Sequence, residues 1–271
     1  MQVEARGLTF DVTVGGPADG PPVLLLHGFP QDHREFDLIT PLLQAKGLRT
    51  YAYDQRGYAP GARPAGVDAY RLGEPTADAV AVLDALGLDA VHVIGHDWGA
   101  HVGWLLAANH PDRVRTLTAV SVPHPRALGL ALRVRPSQRL RFAYMGVFRS
   151  PVAERLLLAR GGLMLKQMMK QTGDRAGRYA EAMAEPGRLT GALNWYRALS
   201  REQLAAVGPI EVPTTYVWTD KDPVVGLTAA LRTADWVSAD YQLVAIKGVS
   251  HWVPEEAPRA LADAALARIG V

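Results

Sequence analysis

The chain has 271 residues, of which 48% are hydrophobic and 21% are charged, so it can bury a large core and is not a disordered chain. The 29 Lys and Arg residues against 27 Asp and Glu residues leave a formal net charge of +2. This balance removes the usual electrostatic argument for a nucleic-acid binder. The sequence has no cysteine, which excludes disulfides, thiolate catalysis and cysteine-based metal sites.

The hydropathy pattern gives no sign of a membrane span, because no run of 18 apolar residues occurs. The N-terminal sequence MQVEARGLTF alternates like a strand and lacks the apolar stretch of a signal peptide. We therefore expect a soluble, cytoplasmic protein. It could be a monomer or a homodimer, since exposed apolar surface could pair with a second chain.

Strands and helices alternate along most of the chain. This order is typical of βαβ units and predicts a mostly parallel, twisted sheet with helices on both faces. The predicted strands are Leu8–Val14, Val23–Leu26, Arg49–Tyr53, Val91–Ile94, Val114–Val120, Thr214–Val217 and Gln242–Ile246. The predicted helices are Thr76–Leu86, Gly99–Asn109 and Ala257–Ile269.

Residues 125–207 break this alternation, because they contain only segments with helical spacing, separated by Pro and Gly. We expect residues 1–124 and 208–271 to form one α/β core, with residues 125–207 inserted as a helical cap. The predicted helical segments of this insertion are Leu140–Phe148, Ala153–Leu158, Leu163–Met169, Tyr179–Met183 and Leu193–Leu204.

The insertion is strongly basic. Between Arg126 and Glu202 there are 15 basic and 5 acidic residues, which leaves 14 basic and 22 acidic residues for the remainder of the chain. Two interpretations stay open. The arginines could form solvated helix faces, or they could make a basic entrance that attracts an anionic substrate.

The segment Val91–His101, with the sequence VHVIGHDWGAH, is the most informative part of the chain. A predicted buried strand runs into Gly95–Gly99, and a predicted helix follows. This is the small-x-nucleophile-x-small pattern of a nucleophile elbow, with Asp97 at the nucleophile position. Glycines are needed there because side chains would clash with the neighbouring strand and helix. The amides at the start of the helix favour an ionised carboxylate.

With these motifs the chain resembles the α/β-hydrolase superfamily, specifically its branch of epoxide hydrolases and haloalkane dehalogenases. The segment His27–Pro30 (HGFP) is similar to the family's HGxP loop, and Asp54–Tyr58 (DQRGY) is similar to its D-x-RG-[YF] loop. Asp222 and His251 stand at the family's acid and base positions, in the order nucleophile, acid, base. Asp220 is the alternative candidate for the acid position. The resemblance implies an α/β-hydrolase fold, a mostly parallel sheet with an inserted helical cap.

An aspartate at position 97 changes the expected chemistry. A carboxylate is ionised at neutral pH and can displace a leaving group from a saturated carbon, which forms an alkyl ester. The resemblance then implies that His251, held by Asp222, activates the water that hydrolyses this ester. The backbone N–H groups of Phe29 and Trp98 are the expected oxyanion hole. This chemistry needs no metal and no cofactor.

The leaving group decides between reactions, and the cap sequence favours an epoxide. The segment Ala192–Arg197 (ALNWYR) resembles the motif whose tyrosine, here Tyr196, protonates the opening epoxide oxygen. At the position of the family's second tyrosine the chain has Val147, so Tyr144, one helical turn earlier, is the candidate replacement. The expected substrate is a small apolar molecule, and the residues expected to line its pocket are Phe29, Trp98, Val147, Phe148, Trp195 and Trp252.

Two other functions stay open. A haloalkane dehalogenase would use the same Asp97 attack, and a non-catalytic binding protein could use the same scaffold. Several other polar residues are interpreted as structural: His27, His96 and His101 as packing or hydrogen-bonding residues, and Asp54 with Arg56 as a pair that fixes its loop.

Overall fold

The computed structural model describes residues 1–271 and contains one eight-stranded sheet with the order β1-β2-β4-β3-β5-β6-β7-β8. Strands β1 and β2 are antiparallel to each other, β2 is antiparallel to β4, and all other neighbouring strands are parallel. The mostly parallel sheet is as predicted. The strands are β1 Gln2–Ala5, β2 Leu8–Gly15, β3 Pro22–Leu26, β4 Arg49–Tyr53, β5 Val91–His96, β6 Val114–Val120, β7 Thr214–Thr219 and β8 Tyr241–Ile246.

Thirteen α-helices accompany the sheet, and none of them is both long and apolar enough to cross a bilayer. The helices outside the insertion are α1 Thr40–Gln44, α2 Gly73–Ala85, α3 Trp98–Asn109, α11 Leu227–Arg232, α12 Val253–Glu256 and α13 Pro258–Ile269. The helices between β6 and β7 are α4 Pro125–Val134, α5 Pro136–Arg141, α6 Tyr144–Arg149, α7 Ala153–Met168, α8 Arg175–Met183, α9 Arg188–Ala198 and α10 Arg201–Ala205.

The sheet is covered on both faces, which explains the continuous apolar run in β3. Successive side chains of a strand point to opposite faces. Leu24 and Leu26 accordingly belong to the cluster that includes side chains of α2 and α3, whereas Val23 and Leu25 belong to the cluster with α1 and α13. All four are fully buried, and each stabilises the fold by about 1.5–3 kcal/mol.

The insertion contains more and shorter helices than the periodicity predicted. The single predicted helix Leu140–Phe148 is wrong, because α5 ends at Arg141 and α6 begins at Tyr144. The predicted helix Leu193–Leu204 is also wrong, because Ser200 starts a new helix with a capping box to Gln203. The Ser-x-x-Gln pattern was visible in the sequence. The break predicted at Gly161–Gly162 is present within α7, where Arg160 and both glycines have positive φ.

Candidate active site

Asp97 lies on a strained turn between β5 and α3. Its φ of 50° and ψ of −115° lie outside the regions that non-glycine residues usually adopt. The turn is tight enough that a Cβ on Gly95 would lie 2.3 Å from the carbonyl oxygen of Gly99, and one on Gly99 would lie 1.8 Å from that of Leu26. The glycine pattern therefore reflects close backbone contacts. They force the chain to present the Asp97 side chain at the end of the sheet.

The Asp97 carboxylate is held on both oxygens. Its Oδ1 accepts the backbone N–H of Phe29 at 2.9 Å, and its Oδ2 lies 3.3 Å from Nε2 of His251. The side chain keeps 13% of its surface exposed, so the carboxylate is accessible from the cavity in front of it. Phe29 is thus one of the two predicted oxyanion donors, already in contact with the carboxylate. The backbone of Trp98, the other, begins α3 directly after Asp97.

His251 lies between two carboxylates. Its Nδ1 is 3.0 Å from Oδ2 of Asp222, a residue that follows β7 and is buried. The other oxygen of Asp222 accepts the N–H of Val224 at 2.6 Å, which fixes the carboxylate. Asp220 instead accepts the N–H of Gly248 at 2.7 Å. The structure therefore brings Asp97, His251 and Asp222, the predicted set, into one continuous hydrogen-bonded row.

Electrostatic coupling sets the protonation of this row. Burial opposes ionisation of Asp97, but the His251 ring and the Phe29 N–H outweigh it and lower the Asp97 pKa to about 2. Burial also opposes a charge on His251, yet the Asp222 and Asp97 carboxylates raise the His251 pKa to about 10. At neutral pH the free protein therefore holds an ionised Asp97 beside a His251 imidazolium.

Two tyrosines of the insertion line the same cavities as Asp97. Tyr196 of α9 is only 4% exposed and packs edge-on against Trp98 and Phe148, each with a ring centroid distance of 4.9 Å. Tyr144 of α6 lies 6.3 Å from Tyr196, measured between ring centroids. Burial, with the nearby Asp97 charge, raises the pKa of both phenols well above the usual value. Both are therefore protonated O–H groups at neutral pH.

Two cavities meet at Asp97, with volumes of about 390 and 320 Å³. Asp97, Tyr144, Tyr196 and Val224 line both. Of the predicted pocket residues, the larger cavity is lined by Trp98, and the smaller is lined by Phe29, Val147, Phe148 and Trp252. Arginines also line them: Arg149 and Arg201 the larger cavity, Arg141 the smaller.

The prediction that Trp195 lines the substrate pocket is wrong. Its side chain is 1% exposed and lies outside both cavities. Its indole N–H donates to the carbonyl of Arg56 at 2.9 Å, which ties α9 to the loop after β4. Helical periodicity explains the error, because adjacent residues of a helix face different directions. Tyr196 therefore faces the cavity, and Trp195 faces the core.

Asp54 and Arg56, interpreted as a pair that fixes its loop, each bind a different partner and not each other. Arg56 binds Asp78 of α2 instead, with its Nε 2.5 Å from Oδ2 and its Nη2 2.6 Å from Oδ1. Asp54 is 2.7 Å from Nδ1 of His33. His27 joins the same loop, because its Nε2 accepts the N–H of Gln55 at 3.0 Å. The HGFP and DQRGY segments are thus joined to each other, and the HGFP segment contacts the elbow through the Phe29 N–H.

One group of side chains has the residue types of a metal site. The ligand atoms of Asp32, His33 and Asp54 lie within 4.8 Å of one another. Asp32, however, binds Arg34 at 2.6 Å and Arg188 at 2.8 Å. These guanidinium groups already balance the carboxylate charge, so the cluster is a salt-bridge network between the core and α9.

Two residues next to the hydrogen-bonded row of Asp97, His251 and Asp222 were given no role in the reaction by the sequence. Glu35 was not singled out, and His96 was interpreted as a structural residue. Nε2 of His96 lies 2.9 Å from the carbonyl oxygen of His251, and Nδ1 of His96 lies 3.3 Å from Oε2 of Glu35. Glu35 and His96 are fully buried. No motif of the sequence marked Glu35, because its neighbours in space come from three distant segments.

The similarity of the chain to known proteins agrees with this geometry. Residues 21–258 match the family described as alpha/beta hydrolase fold. The chain is 33% identical to AB hydrolase superfamily protein YfhM of Bacillus subtilis (strain 168) and 31% identical to Epoxide hydrolase A of Mycobacterium tuberculosis (strain ATCC 25618 / H37Rv). Each alignment covers 94% of this chain and 92% of the relative.

Solved structures show the same fold. The crystal structure of Epoxide Hydrolase A from Mycobacterium thermoresistibile superposes with a TM-score of 0.86 at 28% identity, over 100% of this chain and 97% of that one. The Bacillus megaterium epoxide hydrolase in complex with an inhibitor gives a TM-score of 0.91 at 22% identity over both full chains, a likeness of fold. The predicted fold is confirmed. The chain belongs to the α/β-hydrolase family, and it is a hydrolase that resembles the family's epoxide hydrolases.

Proposed function

We propose that this protein hydrolyses an epoxide of a small apolar molecule to a diol, through an alkyl ester on Asp97. One observation carries the proposal: the Asp97 carboxylate lines the same two mostly apolar cavities as Tyr144 and Tyr196, with His251 on one of its oxygens. Epoxide hydrolase relatives of similar length support the reaction class. Residues 125–207 would act as the cap that supplies the tyrosines.

The first step is attack by Asp97 on a ring carbon. Oδ2 is the attacking oxygen, because Oδ1 is held by the Phe29 N–H and becomes the ester carbonyl. A new C–O bond forms, the ring C–O bond breaks, and the ring oxygen receives the proton of Tyr196, with Tyr144 as the second donor. Esterification removes one of the two carboxylate charges beside His251, so the His251 pKa falls. The proton that His251 loses replaces the one that Tyr196 gave.

The second step is hydrolysis of the ester. Neutral His251 takes a proton from water, and the resulting hydroxide adds to the ester carbonyl carbon. The negative charge develops on Oδ1, where the Phe29 N–H and the Trp98 N–H stabilise it by about 3–4 kcal/mol per donor. Collapse releases the diol with Oδ2 as one of its oxygens, and the carboxylate regains an oxygen from water. His251 is again an imidazolium, so the cycle closes with one water consumed.

The tyrosines favour an epoxide over a halide. An epoxide oxygen leaves as a basic alkoxide still attached to the substrate, and it needs an O–H donor. A halide is a stable anion and needs no proton. Tyr196 and Tyr144 supply two such donors on the walls of the cavities that Asp97 also lines. A haloalkane would use the same nucleophile, with the Trp98 indole N–H as a donor to the halide, and it is the second candidate.

The experiment uses the wild type and His251→Ala. With an aryl or alkyl epoxide, His251→Ala should gain the mass of one substrate on intact-protein mass spectrometry, with the addition at Asp97. Wild type turned over in ¹⁸O-water should carry the label in the Asp97 carboxyl. Asp97→Ala is the control and should show neither. An unlabelled Asp97 after many turnovers would refute the ester mechanism, and halide release from haloalkanes without diol formation would favour the second candidate.

A further inference from the structure

Glu35 is a buried acid beside the row that has no part in the steps above. It belongs to the short helix His33–Phe36, and its side chain has no exposed surface. Its Oε2 lies 3.3 Å from the backbone nitrogen of Gly28 and 3.3 Å from Nδ1 of His96. Its Oε1 has no hydrogen-bond partner. Through this one oxygen, the carboxyl group contacts both the elbow, at His96, and the loop that carries the Phe29 N–H, which we call the oxyanion loop.

The contacts of the His96 ring determine which of its nitrogens carries the proton. Nε2 faces the carbonyl oxygen of His251 at 2.9 Å, and a carbonyl can only accept, so Nε2 must carry the hydrogen. In a neutral ring Nδ1 is then an acceptor. An acceptor facing the Glu35 oxygen forms a hydrogen bond only if Glu35 itself carries a proton.

The alternative is an ionised Glu35 beside a His96 imidazolium. That pair would place an unsolvated carboxylate oxygen, Oε1, in the interior with no donor, which is costly. It would also put a second cation next to His251 and a second anion next to Asp97. Burial lowers the pKa of His96 to about 4, with His251 as the next cause, and burial raises the pKa of Glu35 well above its usual value. The charged groups around Glu35 are Asp97, Asp32, His251 and Glu255.

We propose that Glu35 is a protonated carboxylic acid and a positioning residue, which orients the base and the oxyanion loop through His96 and Gly28. Its O–H donates to Nδ1 of His96, and Nε2–H of His96 donates to the carbonyl of His251. The same Glu35 oxygen accepts the N–H of Gly28, the residue before the oxyanion donor. The neutral pair adds no charge beside His251 when that ring becomes an imidazolium. Only this consequence for the reaction rests on the proposed function.

The direct test measures the protonation of Glu35 in the resting protein, without substrate. Infrared spectra of the wild type at about pH 8.5 should show the carbonyl band of a protonated carboxylic acid, and Glu35→Gln should lack it. The pH is chosen above the pKa of about 7 to which burial raises Glu255, a half-buried acid. Glu255→Gln is the matched control and should keep the band. Absence of the band in the wild type would overturn the proposal, whatever the substrate of the protein.

A kinetic test compares two substitutions of Glu35. In Glu35→Gln the amide N–H can still donate to His96, although that nitrogen cannot also accept from Gly28. We expect kcat within about fivefold of the wild type. Glu35→Leu removes both bonds and should lower kcat at least about 20-fold with little change in KM. Equal loss in both variants would show that donation to Nδ1 of His96 does not support kcat, and it would contradict the positioning role.

Discussion

The elbow of the core and the helical insertion contribute to the same site by different means. At the elbow, close backbone contacts fix the turn that carries Asp97, because Gly99 lies against the carbonyl of Leu26 with no room for a Cβ. In the insertion, Tyr196 and Tyr144 lie on ordinary helices, and other side chains hold them in place. The core thus supplies the nucleophile with rigid geometry, and the insertion supplies the groups that select the leaving group. The first kind of position tolerates no change in the backbone, whereas the second can vary in sequence.

The largest expected difference between the two regions comes from adding one methyl group to a helical glycine in each of them. Gly99→Ala puts a Cβ against the carbonyl of Leu26, so we expect loss of the folded protein or of all measurable activity. Gly129→Ala on α4 meets no atom within 4 Å and should be neutral or stabilise the protein by up to about 1 kcal/mol. Circular dichroism melts and epoxide turnover measure both. An active, stable Gly99→Ala would contradict the packing argument.

The next largest effect, on kcat, comes from removing the tyrosine proton donors of the insertion. Tyr196→Phe removes an O–H donor and keeps the ring, so kcat should fall about 10²–10⁴-fold with an unchanged melting temperature. Tyr144→Phe should have a smaller effect, of about tenfold, if it is the second donor. Stopped-flow measurement of the alkylation step distinguishes loss of the proton donor from slower ester hydrolysis. Full activity in both phenylalanine variants would exclude the tyrosines as acids.

A smaller effect, on stability, compares one ion pair from each region. Asp78 is 1% exposed and holds Arg56 in the core, so Asp78→Ala should cost about 3–5 kcal/mol, because it leaves the buried Arg56 guanidinium with only the more distant Glu74 carboxylate at 3.8 Å. Glu154 pairs with Arg197 in the insertion but is 27% exposed. Glu154→Ala should cost at most about 1 kcal/mol. Urea unfolding of the two variants and the wild type measures both losses of unfolding free energy. Similar losses would contradict the expected difference between the buried pair and the partly exposed pair.

The smallest effect is on the pH dependence of stability, and it comes from Glu255, where the insertion contacts the core. The O–H of Tyr179 in α8 donates to Glu255 Oε1 at 2.7 Å, and the Gln31 amide donates to Oε2 at 2.6 Å. Burial raises the Glu255 pKa to about 7, above the unfolded value of about 4.3. Between these values the folded state binds more protons, so this group makes stability fall as the pH rises from about 4 to above 7.

Glu255→Gln should remove that part of the pH dependence. The substitution keeps the acceptor for Tyr179, and a flipped Gln31 amide can pair with the new amide, because Oε1 of Gln31 has no partner in the wild type. Relative to the wild type, the variant should gain stability at pH 8 but not at pH 4, measured by urea midpoints. Glu211→Gln, at an exposed position, is the control. Parallel curves for the wild type and Glu255→Gln would contradict the raised pKa.

The sequence predicted those parts of the site that local backbone constraints mark. The glycines around Asp97 were recognisable because a tight strand-to-helix turn needs them wherever it occurs, and the apolar run of β3 indicated a strand buried on both faces. The order Asp97, Asp222, His251 also followed from motifs, each of which follows a strand of the sheet. For the acidic partner of His251 the sequence favoured Asp222 and left Asp220 as the alternative. The hydrogen bond to His251 is made by Asp222.

The tertiary structure alone decided the contacts between distant segments. Trp195 and Tyr196 are neighbours in one motif, yet only the docking of α9 on the core showed which of them faces the cavity. Asp78 as the partner of Arg56, and Glu35 beside His96, have no local signal, because each contact joins segments that are distant in the chain. A sequence shows the spacing of residues along one helix or strand, but the pairing of buried charges depends on how those elements pack against each other. The polar contacts around Asp97, His251 and Asp222 could therefore be identified only from the tertiary structure.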